Sequence, residues 1–115
     1  SLSTEETFSS DLETLEQCEE RLGELFQELM ADLAQKENNR RVTKIFVKLK
    51  FADFTRTTAE RAGLEPSLSA FRSLLAEAFA RTGKKVRLIG VGVRFAESPP
   101  EEMQMQLFSE TPTNR

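Results

Sequence analysis

The 115-residue sequence predicts an α+β domain of βαββαβ order: a two-layer sandwich with two helices on one face of a four-stranded, mainly antiparallel sheet. Three observations point there. The apolar spacing alternates along the chain between a period of about 3.6 and a period of about 2. Capping and turn residues fall where it changes. Charge is sorted by segment: Asp11 to Glu37 holds nine acidic and two basic residues, Arg40 to Arg61 seven basic and two acidic, and Arg81 to Phe95 five basic and none acidic. The net charge of -3 therefore hides an acidic helix and two basic strand-patterned segments. A basic sheet face backed by an acidic helical layer suits a polyanion lying across the sheet, because phosphate neutralisation is local.

Ser1 to Phe8 reads as a short extended segment at the edge of the sheet. The opening lacks a methionine and a capped start, which suits a piece of a longer protein. Ser10, three residues before Glu13, has capping-box spacing. Leu12, Leu15, Cys18, Leu22, Leu25, Phe26, Leu29 and Leu33 then recur at three- and four-residue intervals. That is one apolar stripe on a helix running to about Lys36, with acids on its other face and Asn38 and Asn39 as end signals.

The period then becomes 2. Thr43, Ile45, Val47, Leu49 and Phe51 share one side of a strand, and Lys44, Phe46, Lys48 and Lys50 share the other. A one-residue slip would bury three lysines, so hydrophobicity and charge specify the same register. Asp53 and Phe54 lead through a tight turn into a threonine-rich strand over Thr55 to Arg61. Gly63 to Pro66 breaks the pattern. Ser67 or Ser69 begins a second helix with Leu68, Phe71, Leu74, Leu75, Ala78 and Phe79 on its apolar side, and Gly83 ends it in a left-handed conformation. The last strand runs from Val86 to Phe95, with Ile89, Val91, Val93 and Phe95 inward and Gly90, Gly92 and Arg94 outward. Arg87 has the inward parity, so either the strand joins the sheet after it or a bulge re-aims it. Ser98-Pro99-Pro100 forms a stiff exit, dividing a domain over residues 1–97 from a polar tail over residues 98–115.

Composition narrows the chemistry. No apolar run is long enough to cross a bilayer as a helix, and no secretory h-region is present, so no membrane partner is expected. The single cysteine, Cys18, lies on the helix stripe and reads as a small buried hydrophobe in a reducing, cytoplasmic setting. There is no histidine, which removes the usual zinc ligands and general bases. Glu16, Glu20 and Glu24 are one turn apart, but only a second element bringing more ligands would make them a metal site. No glycine-rich phosphate loop is present, because Gly90 and Gly92 lie inside a strand pattern without a following helix. No catalytic residue, metal or cofactor is assigned.

The open face is the first candidate site. Lys44, Lys48, Lys50, Arg87 and Arg94 are placed near phosphates, and Gly90 and Gly92 leave room for a close backbone approach. Ser1, Ser3 and Thr7 lie on one side of the edge strand together with Glu5, where hydroxyls can donate to a nucleic-acid backbone. A lysine-heavy set suits distributed charge rather than base readout. Phe46 is the one aromatic expected outward on the long strand, too little for a stacking platform. The second candidate is Gln104-Met105-Gln106-Leu107-Phe108, a polar anchor with apolar side chains beyond a proline linker. Two rivals share this architecture: an RNA-binding ferredoxin-like module, and a protein-interaction domain that pairs through its sheet. Scarce exposed aromatics weigh against the first, and the lysines against the second.

Several stretches together resemble the little finger, or polymerase-associated domain, of the bacterial DNA polymerase IV family of Y-family translesion polymerases. They are Ser1-Leu2-Ser3-Thr4-Glu5-Glu6-Thr7-Phe8, Val47-Lys48-Leu49-Lys50-Phe51-Ala52-Asp53-Phe54, Thr55-Arg56-Thr57-Thr58 and Val86-Arg87-Leu88-Ile89-Gly90-Val91. The resemblance implies a sheet lying in the major groove of primer–template duplex DNA and touching both backbones, with phosphate contacts from Lys48, Lys50, Arg87, Arg94 and the Ser1-to-Thr7 edge. It implies that the tail binds the bacterial sliding clamp, the polymerase III beta subunit, through Gln104, Met105, Leu107 and Phe108, with Met105 where the family often has leucine. It also implies that nucleotidyl transfer, with its Mg²⁺ and metal-binding carboxylates, belongs to palm, fingers and thumb domains outside this sequence.

Overall fold

The computed structural model describes residues 1–35, 41–63 and 65–96. The elements are β1 (Leu2–Leu12), α1 (Leu15–Gln35), β2 (Val42–Phe51), β3 (Arg56–Ala62), α2 (Leu68–Ala80) and β4 (Val86–Phe95), in the expected βαββαβ order. The sheet order is β1-β4-β2-β3, and every neighbouring pair is antiparallel. The last strand is thus inserted between β1 and β2, and each helix connects two strands that lie either side of a third. Both central strands are paired on both edges, so they form the rigid floor of the sheet.

The expected register of β2 is the observed one. Ile45, Val47, Leu49 and Phe51 are buried with Val86, Ile89, Val91 and Val93 of β4 and Ala59 of β3. Cys18, Leu22, Leu25 and Leu29 of α1 and Phe71, Leu74, Leu75 and Ala78 of α2 close the core from one side. Phe26 and Phe71 meet edge to face across the two helices, with ring centres 5.8 Å apart. Burial pushes the Cys18 thiol up to about 11, with the nearby Glu19 charge adding to the effect, so it stays a protonated, inert core group.

Helix ends follow local chemistry, with one correction. Ser67 caps α2, its hydroxyl accepting from the Ala70 N–H at 3.2 Å, and Gly83 sits beyond the helix end at φ 71°. The first helix does not use Ser10 and Glu13. Its capping box is Thr14 with Gln17: the Thr14 hydroxyl accepts from the Gln17 N–H at 3.1 Å, and Gln17 Oε1 accepts from the N–H groups of Glu13 and Thr14. The same spacing occurs twice in this stretch, and the tertiary fold selects the later one. Leu12 belongs to β1, where it pairs with Val86 and packs on the core, so the edge strand is longer than Ser1 to Phe8. Asn38 and Asn39 lie outside the described residues.

Arg87 is where its parity signalled an irregularity. Along β2 and β4, Lys50 stands opposite Leu88 while Phe51 stands opposite Val86, which leaves Arg87 as the extra residue of a bulge. The bulge keeps Val86 and Ile89 both buried although three positions separate them. No helix among the described residues is long and apolar enough to cross a membrane.

Candidate nucleic-acid interface

Cross-strand pairing sets the open face out in rows. Lys44 pairs with Arg94 and Ala62; Phe46 with Gly92 and Glu60; Lys48 with Gly90 and Thr58; Lys50 with Leu88 and Arg56. On the far side of β4, Ser3, Glu5 and Thr7 stand beside Gly92, Gly90 and Leu88. Ser1 is exposed just before the strand. Ser3, Thr7, Lys44, Lys48, Lys50, Arg87, Gly90, Gly92 and Arg94 are therefore brought onto one surface, opposite the helices. Glu5, Lys48, Lys50, Arg56 and Leu88 line a shallow cleft in its middle.

The face is less uniformly basic than its lysines alone suggest. Lys48 Nζ lies 2.9 Å from Glu5 Oε1, reaching across Gly90. Arg94 donates to Glu60 from the neighbouring strand but one, and that bond, ahead of the Arg94 and Lys44 charges, holds the Glu60 carboxyl below its ordinary range. Both are partly exposed pairs, worth about 0–1 kcal/mol each, so an incoming phosphate can replace either carboxylate at little cost.

Phe46 corrects another expectation. Its parity is outward, yet it is only 8% exposed. The ring lies flat across β4 where Gly92 offers no side chain, and the Arg94 guanidinium covers it, 4.7 Å from the ring centre. Gly92 is thereby filled by an aromatic ring and Ser3, and Gly90 is roofed by the Lys48–Glu5 pair. Both glycines sit in a central strand whose ladders run to β1 and β2.

Four participants were not singled out from the sequence. Arg56 extends the basic row on β3, Leu88 floors the cleft, Glu60 pairs with Arg94, and Phe54 stands exposed in the β2–β3 turn. Arg56 was legible in principle, since its parity follows from a hairpin closed at Asp53. Gln104, Met105, Leu107 and Phe108 lie outside the described residues.

An antiparallel sheet with helices on one side and partly paired cations on the other defines a two-layer domain with one open sheet face. A model of the impB/mucB/samB family C-terminal domain matches residues 1–107. The chain belongs to this family. It is 45% identical over 109 residues to DNA polymerase IV of Pseudomonas syringae pv. syringae, covering 95% of this chain and 31% of that protein. Against DNA polymerase IV of Pseudomonas putida, a 108-residue match is also 45% identical, over 94% of this chain and 30% of the relative. The chain thus spans about a third of the length of these relatives. Its fold is that of a solved complex of beta-clamp processivity factor and little finger domain of PolIV, with a TM-score of 0.75 at 24% identity, covering 97% of this chain and 95% of that one. An insertion ternary complex of Dbh DNA polymerase shares the fold at a TM-score of 0.66 and 16% identity, over 81% of this chain and 27% of that one.

Proposed function

We propose that this chain is the DNA-gripping and clamp-recruiting part of a Y-family translesion polymerase, with nucleotidyl transfer and its Mg²⁺ supplied by palm, fingers and thumb domains of the parent protein. The observation that carries the reading is the open face: Lys44, Lys48, Lys50, Arg87 and Arg94 converge on one surface, in a family whose relatives are DNA polymerases. The chemistry is positional. Lysine and arginine heads neutralise phosphates of a duplex lying across the sheet, and releasing the DNA counterions drives binding without reading sequence. The carboxylates of Glu5 and Glu60 hold two of these cations in place until phosphate displaces them.

Changing Lys48, Lys50 and Arg94 together to alanine should weaken every duplex about equally. It should also flatten the dependence of log affinity on log salt by up to roughly 3, at about 0.9 per lost phosphate contact. Fluorescence anisotropy at several salt concentrations measures both. An unchanged affinity, or strong preference for one duplex sequence, contradicts the reading.

The tail adds the second function. Gln104, Met105, Leu107 and Phe108 present a glutamine and three apolar groups to a pocket on a sliding clamp, with Met105 filling a leucine-sized space. Support comes from their spacing and from the solved clamp complex of a little finger with the same fold. Replacing Leu107 and Phe108 with alanine should remove most clamp binding in a calorimetric titration while leaving duplex affinity unchanged. Comparable heats from the parent and doubly substituted chains rule this assignment out.

A further inference from the structure

Phe54 is held out from the fold by a turn built for the purpose. Its φ of 69° is the one positive value at a non-glycine among the described residues, in a region where a bulky side chain is unfavourable. The turn is braced on several sides. Phe54 N–H donates to Phe51 O at 2.8 Å and Phe51 N–H to Thr55 O at 2.9 Å. Asp53 Oδ1 accepts from the Thr55 N–H and hydroxyl, and its other oxygen accepts from Lys84, in the loop between α2 and β4. All of this fixes a phenylalanine that is 60% exposed, the exposed large hydrophobic of the described residues. Strain maintained by surrounding bonds to display one side chain points to a use for that side chain.

The surroundings of the ring indicate what it meets. Lys50 Nζ lies 5.1 Å and the Arg87 guanidinium 5.0 Å from its centre. Two like charges converge on one ring. Arg87 has Asp11 at 3.6 Å, and Lys50 has no carboxylate partner among the described residues. The bulge at Arg87 is what brings the second cation to this edge of the open face. An apolar surface flanked by two cations matches a nucleotide backbone, in which an apolar sugar face alternates with anionic phosphates.

We infer that Phe54 is a DNA-contacting residue, its ring packing on a deoxyribose while Lys50 and Arg87 hold the adjoining phosphates. This rests on the proposal that the open face grips duplex DNA, and it assigns that face an apolar contact at the β2–β3 turn. Such a contact adds affinity without neutralising a phosphate, so it is separable from the lysines by salt dependence.

Phe54→Gly is the informative variant, because glycine adopts φ 69° without strain and only the ring is lost. In the full 115-residue chain it should bind duplex roughly five- to tenfold more weakly at fixed salt, with an unchanged salt slope and no loss of thermal stability. Lys50→Ala should instead lower the slope by about 1. The chain contains no tryptophan or tyrosine, so Phe54→Trp creates a unique fluorophore whose emission should change when duplex is added. Inorganic polyphosphate, which offers phosphate without sugar, should bind Phe54→Gly as well as it binds the parent chain. Parent-like DNA affinity in Phe54→Gly overturns the inference while leaving the basic face intact. Absence of duplex binding by the parent chain itself overturns both this inference and the proposal beneath it.

Discussion

Replacing Gly92 with alanine puts a methyl group into space occupied by the Phe46 ring. The added Cβ would lie 2.3 Å from Phe46 Cζ, 2.7 Å from Phe46 Cε2 and 2.7 Å from Ser3 Cβ, well inside contact distance. The ring has to swing off β4, uncovering a side chain now 8% exposed and separating it from Arg94. Losing a buried phenylalanine surface costs about 1.5–3 kcal/mol at most, and replacing glycine in a strand returns up to about 1 kcal/mol of backbone preference. A net destabilisation of about 1–2 kcal/mol is expected. Gly90→Ala is the control, since its Cβ would meet Glu5 Cβ at 3.3 Å and Lys48 Cε at 3.4 Å, and the side chains there can give. It should change stability by no more than about 0.5 kcal/mol. Urea unfolding of both variants, alone and with Phe46→Ala, gives the coupling directly. With the ring already removed, Gly92→Ala should cost less than about 0.5 kcal/mol, the remaining crowding falling on Ser3 of the edge strand. Equal effects of the two glycine substitutions, or a Gly92→Ala cost that ignores Phe46→Ala, would refute the argument.

Leu49→Ala should cost roughly 2–5 kcal/mol in denaturant melts, because Leu49 is wholly buried, whereas Lys48→Ala on the opposite face should cost about 1 kcal/mol or less; equal effects would mean the register is wrong. The β2–β3 turn should be acid-sensitive. The Lys84 hydrogen bond, with those from Thr55, holds Asp53 well below its ordinary 3.8. The stability it contributes is therefore present above that value and lost as pH falls through it toward the folded pKa. Thermal melts should show Asp53→Asn less stable than the parent at pH 6 and the gap closing below about pH 3; a gap constant across that range contradicts the role.

Much of the fold was legible because its signals are local. The alternation over Thr43 to Phe51 placed the lysines outward and the aliphatics inward, and burying any lysine would have cost more than any competing register returned. The Arg87 parity conflict marked an irregularity, since an arginine cannot follow valines into a dry core, and the pairing of Phe51 with Val86 makes it a bulge rather than a late start of the strand. Gly83 marked the end of α2, and a serine at 67 or 69 its start, through backbone chemistry that needs no distant partner; the structure uses Ser67. The capping box of α1 was ambiguous for the same reason: Ser10-to-Glu13 and Thr14-to-Gln17 are equivalent locally. Only the pairing of Leu12 with Val86 decided between them.

The site divides along that line. Sequence alone determined which residues could face solvent on each strand, and so gathered Lys44, Lys48, Lys50 and Arg94 on one face. It could not determine which strand lies beside which. The order β1-β4-β2-β3 sets Glu5 against Lys48, drops the Phe46 ring onto Gly92, and brings Arg87 beside Phe54. Parity is a property of one strand and is written in its own period of two. The neighbours that cover a ring, pair a charge or leave a phenylalanine exposed come from segments tens of residues away, and only the closed sheet brings them within contact.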